Sequence, residues 1–469
     1  MIRIFRVFIP TTVVLLMLSE IILLFGCLML GYVLASGQSS YVESPLELFL
    51  LQESGILRIG LVVATMVIGL YFQDLYTDFR LSNRIAFVQQ LMMVVGFTFL
   101  GQALLTYAYH DLMLSRYQMI YGCSLVMVVL PVWRMFYTTF VIKILGHQKV
   151  MLIGSSGILK QIAARIAERP EDGSLVCGFL EEPDVGAAQP EGITRLGMIS
   201  DLEKLVERHR PDRIIVGMRE RRQRLPVFKL LDLRLSGIHI EEAAHAYESL
   251  FGRISTNELR PSQLVFSTEL GPSASSVSLQ NVYSVAIALI GTILSLPLMA
   301  VVAVLVKTTS KGPIMHKQTR VGMKGEIFTV YKFRSMYEDA EARTGAVWAI
   351  KNDPRITWIG KYLRHYRLDE LPQLFNVLRG DMSMVGPRPE RPEFTQTLTE
   401  RIPFYRQRLC VKPGLSGWAQ INHKYGDTFE DTNTKLEYDL YYIKHISFSL
   451  DLYILLNTAK IVLQGRGAQ

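Results

Sequence analysis

The sequence predicts a membrane protein of mixed fold class: a bundle of four N-terminal transmembrane helices, a Rossmann-like α/β domain, and a C-terminal α-rich domain with a re-entrant membrane helix. Hydrophobic residues make up 49% of the 469 residues, and the mean hydropathy of +0.23 is high for a soluble protein. Long apolar runs fill the first 145 residues, and one more covers residues 281–306. Residues 146–280 and 307–469 have the composition of globular sequence.

The N-terminal region, residues 1–145, contains four apolar runs that each approach or exceed the ~20 residues needed to cross a bilayer. The first run is too long for a cleaved signal peptide and lacks a small-residue cleavage site, so it is interpreted as a membrane anchor. The four predicted helices are Pro10–Leu34, Ile56–Phe72, Ile85–Tyr107 and Tyr117–Val141.

Charges that flank these runs predict their direction. Basic residues precede the first run, separate the second from the third and follow the fourth, whereas the 35–55 loop carries only acidic charges. By the positive-inside rule, the N-terminus, the 73–84 loop and everything after residue 143 face the cytoplasm. The basic residues are Arg3, Arg6, Arg80, Arg84, Lys143 and Lys149; the acidic ones are Glu43, Glu47 and Glu53.

Residues 146–250 predict a small open parallel sheet, because strand and helix patterns alternate. The stretch VMLIGSSGILKQIAARIAE (150–168) reads as strand, glycine turn and helix. The turn keeps Gly154 and Gly157 but not the three-glycine spacing of a dinucleotide site, and no acidic residue is well placed to hold a ribose. A spacer or regulatory module is therefore favoured over a nucleotide- or coenzyme-binding domain. Further strands are predicted at Leu175–Leu180, Arg213–Met218 and Gly237–Glu241, with a helix at Asp201–His209.

After a predicted linker, 251–280, the fifth apolar run, Asn281–Val306, has Pro297 at its centre, two residues after Ser295. Proline removes a backbone hydrogen bond and clashes with the preceding turn, so a break is expected, with the Ser295 hydroxyl as a compensating partner. The run is interpreted as a re-entrant helix that enters and leaves by the cytoplasmic face. The alternative is a kinked helix that spans the membrane.

In LDELP (368–372), Pro372 predicts the start of a helix that places Asp369 and Glu370 at its N-terminus. The two carboxylates could hold a divalent cation or attack a phosphorus atom, and cations surround them in the sequence. The alternative is a capped helix with surface salt bridges. The neighbouring cations are Lys332, Arg334, Lys361, Arg364, Arg367, Arg379, Arg388 and Arg391.

The whole of 280–469 resembles the bacterial sugar transferase family, the monotopic polyprenyl-phosphate phosphoglycosyltransferases. Residues 1–280, including YESLFGRISTNELRPSQLVFS (247–267), resemble the large, exopolysaccharide-initiating branch. The Ser-x-Pro spacing at 295–297 departs from the adjacent Ser-Pro of the family. The matching stretches are the helix with Ser295 and Pro297, GPIMHKQTRVGMKGEIFTVYKFRSM (312–336), NDPRITWIGKYLRHYRLDELPQLFNVLRGDMSMVGPRP (352–389), RLCVKPGLSGWAQI (408–421) and YDLYYIKHISFSLDLYIL (438–455).

This resemblance implies that a phosphosugar passes from a nucleotide diphosphate sugar, commonly UDP-linked, to a polyprenyl phosphate such as undecaprenyl phosphate. It implies Asp369 as nucleophile, Glu370 as its partner in the dyad, Mg²⁺ at these two residues, a covalent aspartyl-phosphosugar intermediate and release of UMP. It also implies a catalytic domain, 281–469, on the cytoplasmic face of the bacterial inner membrane; a homodimer is a further expectation. The residues expected to meet the nucleotide diphosphate are Lys332, Arg334, Arg379, Asp381, Pro387, Arg388 and Pro389.

Composition and the remaining motifs distinguish between alternative functions of the protein. The net charge of +8 suits either nucleic acid or an anionic membrane face, but no nucleic-acid-binding motif is present, so the membrane is favoured. An inert scaffold or regulator of polysaccharide export, or a transporter, is disfavoured by the intact motifs and by the near absence of ionisable residues from the centres of the apolar runs.

His365 is not favoured as a general base. Tryptophans 348, 358 and 418 are expected at the lipid interface. The four separated cysteines, Cys27, Cys123, Cys177 and Cys410, predict neither disulfides nor zinc.

Overall fold

The computed structural model describes residues 2–4, 6–36, 49–50, 54–76, 84–141, 146–170, 173–181, 193–218, 225–259, 271, 273–338, 353–423 and 428–465. The chain divides into two compact units. One comprises Met1–Ile2, Ile9–Ser155 and Leu159–Ile240, and the other comprises Arg3–Phe8, Ser156–Ile158 and Glu241–Gln469. Trp348 and the predicted topology charges Arg80, Lys143, Glu43, Glu47 and Glu53 lie outside the described residues.

Two short paired strands, β1 (Ile2–Ile4) and β2 (Val7–Ile9), precede four long apolar helices. The helices are long and apolar enough to cross a membrane, and their buried residues form one shared apolar core, as the four predicted runs required. They are α1 (Thr11–Ser36), α2 (Gly55–Phe72), α3 (Arg84–Ala108) and α4 (Arg116–Phe136), the last continued by a π-helical turn, Tyr137–Val141.

Helices α1 and α4 approach each other closely at two glycines. A Cβ atom added to Gly31 would lie 2.6 Å from the backbone nitrogen of Gly122, so a larger residue would force the helices apart. Small residues at such crossings let helix backbones pack closely in membranes.

A buried ion pair lies between the same two helices. The side chain of Glu20 on α1 is 0% exposed and that of Arg134 on α4 is 1% exposed. Arg134 donates from Nη2 to Glu20 Oε2 at 3.0 Å and from Nη1 to the Leu75 carbonyl at 2.9 Å. The pair is not predicted from the sequence, and its two charges neutralise each other inside the helical region.

The α/β domain contains a five-stranded sheet in the order β5-β4-β3-β6-β7. Strand β3 is parallel to β4 and β6, and β4 is parallel to β5, which confirms the predicted parallel sheet. Strand β5 and helix α7 were not predicted. The elements are β3 (Gln148–Ile153), α5 (Gly157–Glu168), β4 (Ser174–Glu181), β5 (Arg195–Met198), α6 (Leu202–His209), β6 (Arg213–Val216), α7 (Val227–Leu235) and β7 (His239–Glu242).

The glycine turn after β3 has a packing explanation. Gly154 has a φ of +110°, and a Cβ atom there would lie 2.5 Å from the carbonyl oxygen of Gly217, just after β6. Glycine is therefore required by the close approach of two strand ends as well as by the backbone conformation.

The second unit is built from α8 (Ala243–Phe251), α9 (Ala274–Thr309), a hairpin and a series of short elements around one apolar core. The antiparallel hairpin pairs β8 (Met315–Val321) with β9 (Ile327–Phe333), and the short parallel strands β10 (Ser383–Val385) and β11 (Gly414–Ser416) pair with each other. The other helices are α10 (Trp358–His365), α11 (Gln373–Arg379), α12 (Pro392–Arg401), α13 (Trp418–Asn422), α14 (Phe429–His445) and α15 (Phe448–Leu463).

The first part of the predicted linker, 251–280, packs inside this unit. Ile254 belongs to the core, and the Thr256 backbone N–H donates to Glu437 Oε1 at 3.1 Å. The Tyr247 hydroxyl on α8 donates to Glu437 Oε2 at 2.9 Å, and Trp418 Nε1 donates to the Gly252 carbonyl at 2.7 Å. The main segment of the unit, Glu241–Gln469, therefore begins before the predicted linker, 251–280, and the predicted catalytic domain, 281–469.

Helix α9 runs without interruption through Pro297 for 36 residues, so the predicted helix-break-helix is wrong at the level of secondary structure. Proline removes one hydrogen bond, but its restricted φ is itself helical, and the remaining backbone bonds can continue the helix. The Ser295 hydroxyl donates to the Thr292 carbonyl at 3.3 Å, not to the Ile293 carbonyl that lies four residues before Pro297.

Candidate active site

Asp369 and Glu370 lie in a 3₁₀ turn, Leu368–Glu370, between α10 and α11. Arg367, with φ 53°, reverses the chain before the turn, and Pro372 caps the N-terminus of α11, one position before the predicted first turn. Proline suits this position because its missing N–H has no partner there. The turn places both carboxylates in the interior, where they are 8% and 9% exposed.

Glu370 binds three cations. Arg388 Nη2 lies 2.7 Å and Lys332 Nζ 3.2 Å from Oε1, and Arg367 Nη1 lies 3.5 Å from Oε2. Burial alone would raise the pKa of this carboxyl, but the charges of Arg388, Lys332 and Arg367 hold it well below its ordinary value. Glu370 is therefore a fixed anion that gathers the cations of the site.

Asp369 differs from Glu370 in its polar partners and in the direction of its pKa shift. Its carboxylate forms no hydrogen bond or ion pair with the residues that the structure describes. Burial, and after it the negative charge of Glu370, raise the pKa of Asp369 to about 6, against the opposing charges of Lys332, Arg364 and Arg388. A buried carboxylate with free oxygens next to cations can attack an electrophilic phosphorus or bind a metal ion.

The other partners of Glu370 come from distant parts of the sequence. Lys332 is on β9, where burial lowers the pKa of its ammonium against the opposing charge of Glu370. Arg388 is in the turn Pro387-Arg388-Pro389, which follows β10. The fold brings these two predicted residues together at the dyad.

The 387–389 turn is held by its backbone. The Gly414 N–H donates to the Pro387 carbonyl at 3.0 Å, and Arg320 Nη1 donates to the Pro389 carbonyl at 2.9 Å. A Cβ atom added to Gly386 would lie 2.5 Å from the Lys412 carbonyl oxygen, so this glycine is required for the two chains to meet. The glycines of GPRP and KPGLSG thus bring the turn against β11.

Arg334, predicted to contact substrate, has a different set of partners. It is 5% exposed and donates to the carbonyls of Lys311 and Ser310, each at 2.7 Å, and to the Val306 carbonyl at 3.3 Å. Val306 lies in the last turn of α9, whose final carbonyls have no helical partner, and Ser310 and Lys311 directly follow the helix. Arg334 therefore caps the membrane helix.

Arg379 and Asp381 lie at the end of α11. Arg379 is largely exposed; it donates to the Tyr331 hydroxyl at 3.0 Å and lies 3.7 Å from Asp381. Asn376 Nδ2 donates to Asp381 at 3.2 Å and to the Thr329 carbonyl at 2.7 Å. Asn376 is 0% exposed and joins α11 to β9, a role that sequence analysis missed.

The structure also describes the ring side chains of His365, Trp358 and Trp418. The His365 ring packs against Gly465, where an added Cβ atom would lie 2.2 Å from Nε2, so it contacts the end of α15. Trp358 is 61% exposed, but Trp418 is 4% exposed and stacks on Tyr441. The expected interfacial position of Trp418 is therefore wrong, because its ring fills the domain core.

The dyad offers a magnesium ion one carboxylate, that of Asp369. Among the residues that the structure describes, no cluster of three or more His, Cys, Asp or Glu is arranged to hold a metal ion. Mg²⁺ commonly binds one or two carboxylates together with substrate phosphates and water. Asp369 has free oxygens for this purpose, whereas the oxygens of Glu370 already bind cations.

Comparison with known proteins finds two family models in this chain. The model described as bacterial sugar transferase matches residues 275–465, and the model described as CoA-binding domain matches residues 72–234. The first match contains the dyad, the 387–389 turn and α9.

Individual relatives match over different shares of their length. A UDP-N-acetylgalactosamine-undecaprenyl-phosphate N-acetylgalactosaminephosphotransferase from Aeromonas hydrophila is 39% identical over 291 residues, which cover 62% of this chain and 63% of that protein. A UDP-glucose:undecaprenyl-phosphate glucose-1-phosphate transferase from Klebsiella pneumoniae is 35% identical, over 67% of each chain. An exopolysaccharide production protein, PSS, from Rhizobium leguminosarum is 41% identical over 34% of this chain and 84% of its own.

Proposed function

The chain belongs to the bacterial sugar transferase family, and we propose that it transfers a sugar 1-phosphate from a UDP-sugar to undecaprenyl phosphate and so begins exopolysaccharide assembly. The observation that carries this proposal is the unequal pair of carboxylates. Glu370 is saturated by Lys332, Arg367 and Arg388, whereas Asp369 is buried and unbonded among the described residues. Phosphoryl transfer requires this combination of a positioned nucleophile and charge neutralisation.

Two displacements at phosphorus make up the proposed reaction. A carboxylate oxygen of Asp369 attacks the phosphorus that carries the sugar, and the bond from that phosphorus to the bridging oxygen breaks, so UMP leaves with the electron pair. A phosphate oxygen of undecaprenyl phosphate then attacks the same phosphorus. The bond to Asp369 breaks, which restores the carboxylate and gives undecaprenyl diphosphate sugar.

The cations around Glu370 are suited to the negative charge that develops on the diphosphate. Arg388 and Lys332 are fixed by Glu370 before substrate arrives, so their orientation costs nothing during the reaction. When bound, Mg²⁺ would neutralise charge on the diphosphate and the leaving UMP, and Asp369 is the residue of the dyad whose free oxygens would hold it.

The contacts of α9 support a catalytic domain that stays on one side of the membrane. In its first half, Gln280 donates to Asp451 at 2.7 Å and Ser284 bonds Ser383 at 2.9 Å. In its second half, Met299 and Val306 pack in the core beside Phe333. Because both halves pack on the same unit, we propose that α9 is re-entrant and that α1–α4 cross the inner membrane, with the catalytic domain in the cytoplasm.

A reconstitution assay tests the function. The purified full-length protein in lipid nanodiscs is incubated with undecaprenyl phosphate, Mg²⁺ and, in turn, UDP-glucose, UDP-galactose and UDP-N-acetylgalactosamine. We expect UMP release and a lipid-linked product with one of these donors, and a phosphosugar adduct on the Asp369 peptide when the acceptor is left out.

Asp369→Asn should abolish all three signals, because an amide is not an anionic nucleophile. The matched control is Asp232→Asn, an exposed aspartate on α7, which should behave as wild type. Normal UMP release by Asp369→Asn would contradict the covalent step. A wild-type protein that is inactive with every donor would favour a scaffold or regulator.

A further inference from the structure

A buried ion pair lies directly behind the 387–389 turn. Arg408, in the 3₁₀ turn Tyr405–Cys410, donates from Nε to Asp439 Oδ2 at 3.0 Å, and its Nη2 lies 2.8 Å from the same oxygen. The side chains of Arg408 and Asp439 are 7% and 3% exposed. The sequence separates them by 31 residues, and neither lies in the dyad or the turn.

Arg408 also donates hydrogen bonds to the 387–389 turn and to Tyr405. Its Nη2 donates to the backbone carbonyl of Arg388 at 2.9 Å, and its Nη1 donates to the Tyr405 hydroxyl at 2.7 Å. The side chain of Arg388 in turn donates to Glu370 Oε1 at 2.7 Å. A continuous series of hydrogen bonds therefore runs from Asp439 through Arg408 and Arg388 to the dyad.

Stability alone does not account for this ion pair. Well-packed apolar residues of similar volume are commonly as stable as a buried ion pair, because both charges lose their hydration. Burial raises the pKa of Asp439 to about 6 even beside Arg408, a sign that ionisation here is costly. What the guanidinium supplies instead is geometry, since its rigid planar fork binds three separate acceptors at once.

We propose that Arg408, held by Asp439, is a positioning residue that fixes the backbone of the 387–389 turn so that Arg388 reaches Glu370. The inference rests on the proposed function, because it concerns the rate of that reaction. Lysine cannot replace Arg408, since an ammonium lacks the fork that binds the Arg388 carbonyl, Tyr405 and Asp439 together.

A double-mutant cycle tests the inference. Arg408→Lys is measured in the wild type and in Arg388→Ala, which removes the side chain but keeps the carbonyl that Arg408 binds. With the donor found active in the panel, we expect Arg408→Lys to lower kcat by about 10- to 100-fold in the wild type, as for other residues that orient a catalytic group. The KM for the donor should change less. In Arg388→Ala we expect Arg408→Lys to cause little further loss, because the residue through which it acts is gone.

Arg253→Lys is the matched control. Arg253 is a half-buried arginine of the same unit; its side chain is 17% exposed and lies 3.5 Å from Glu437 on α14, two residues before Asp439. Arg253→Lys should change kcat by the same factor in the wild type and in Arg388→Ala. An equal loss from Arg408→Lys in both backgrounds would overturn the inference and leave Arg408 a structural residue. Should Arg408→Lys not fold, Asp439→Asn enters the same cycle with the same expectations.

Failure of the proposed function is distinguishable from failure of the inference. If the wild type is inactive with every donor, the function fails, and the same cycle is read from melting temperatures of Arg408→Lys and Arg388→Ala. A melting shift that is smaller in the Arg388→Ala background supports the link from Arg408 to Arg388. Additive shifts overturn it.

Discussion

At the scale of single residues, the two adjacent carboxylates of the dyad have opposite effects on stability. The pKa of Asp369 is raised to about 6 in the folded protein, so its ionisation opposes folding. The pKa of Glu370 is held well below its ordinary value by the cations around it, so its ionisation favours folding. Of the two carboxylates, the one proposed to react is thus the one whose charge opposes folding.

Asp369→Asn should therefore raise the melting temperature while it abolishes transfer. The ordinary pKa is 3.8, so wild-type stability falls as pH rises from about 4 through 6, and the loss is complete above that range. Asp369→Asn does not undergo this loss, so its melting temperature should exceed that of the wild type by more at pH 8 than at pH 5. Melting curves at the two pH values check this. An equal shift at both values would contradict the assignment of the raised pKa.

Glu370→Gln should act in the opposite direction. It leaves Lys332, Arg367 and Arg388 without their anion, and loss of one partner of a buried ion pair costs about 3 kcal/mol. We expect a lower melting temperature at pH 8 as well as slow transfer. A melting temperature equal to that of wild type would show that solvent screens these contacts.

Sequence alone located the dyad but not this division of roles. The Asp-Glu pair, the proline and the cations are all readable in LDELP and its surroundings. Which carboxylate binds the cations depends on Lys332 and Arg388, which are 38 and 18 residues from Glu370 and approach it only in the folded chain. The sequence also does not show that Arg334, a cation near a motif, binds the carbonyls at the end of α9.

At the scale of elements, α9 is longer than the membrane core is thick. Its 36 residues extend about 54 Å at 1.5 Å per residue, whereas the hydrocarbon core is ~30 Å thick. Helix bounds elsewhere followed the apolar runs closely, since length and hydropathy determine them. The effect of Pro297 could not be predicted in this way, because the neighbouring domain packs on both halves of the helix.

Cysteine labelling tests the topology of α9. In a background without Cys27, Cys123, Cys177 and Cys410, single cysteines are introduced by Ser275→Cys and Lys311→Cys, at exposed positions near the two ends. A membrane-impermeant maleimide should label neither in intact cells and both after lysis. Labelling of one of the two in intact cells would show that α9 spans the membrane.

At the scale of the whole molecule, the catalytic unit includes sequence that lies before and after the first four helices. The Tyr441 hydroxyl donates to the Arg6 carbonyl at 2.7 Å, and Lys444 Nζ donates to Glu248 at 2.9 Å. The family resemblance begins at residue 280, whereas the main segment of the folded unit begins at Glu241. Composition could not reveal this, because the contacts that bind Tyr247 and Thr256 to Glu437 are buried polar ones, which no apolar pattern marks.

Two truncated fragments test whether residues 241–259 stabilise the catalytic unit. A fragment of residues 241–469 keeps the partners of Glu437, whereas residues 271–469 lose Tyr247 and Thr256 and leave a buried carboxylate short of hydrogen bonds. We expect the longer fragment to melt at a higher temperature and to release more UMP in the membrane fraction. Equal melting temperatures would mean that 241–259 adds nothing to the unit.

The ion pair between Glu20 and Arg134 has a consequence for how the chain is made. The two residues are 114 positions apart, and at about 5–20 residues per second a ribosome needs on the order of ten seconds to synthesise the second after the first. In a chain that inserts as it grows, α1 would enter lipid before its counter-charge exists. A charge near the centre of a membrane helix costs roughly 2.5–3.5 kcal/mol on insertion scales. The first helix therefore bears this cost until the fourth arrives, and the order of synthesis becomes part of the fold.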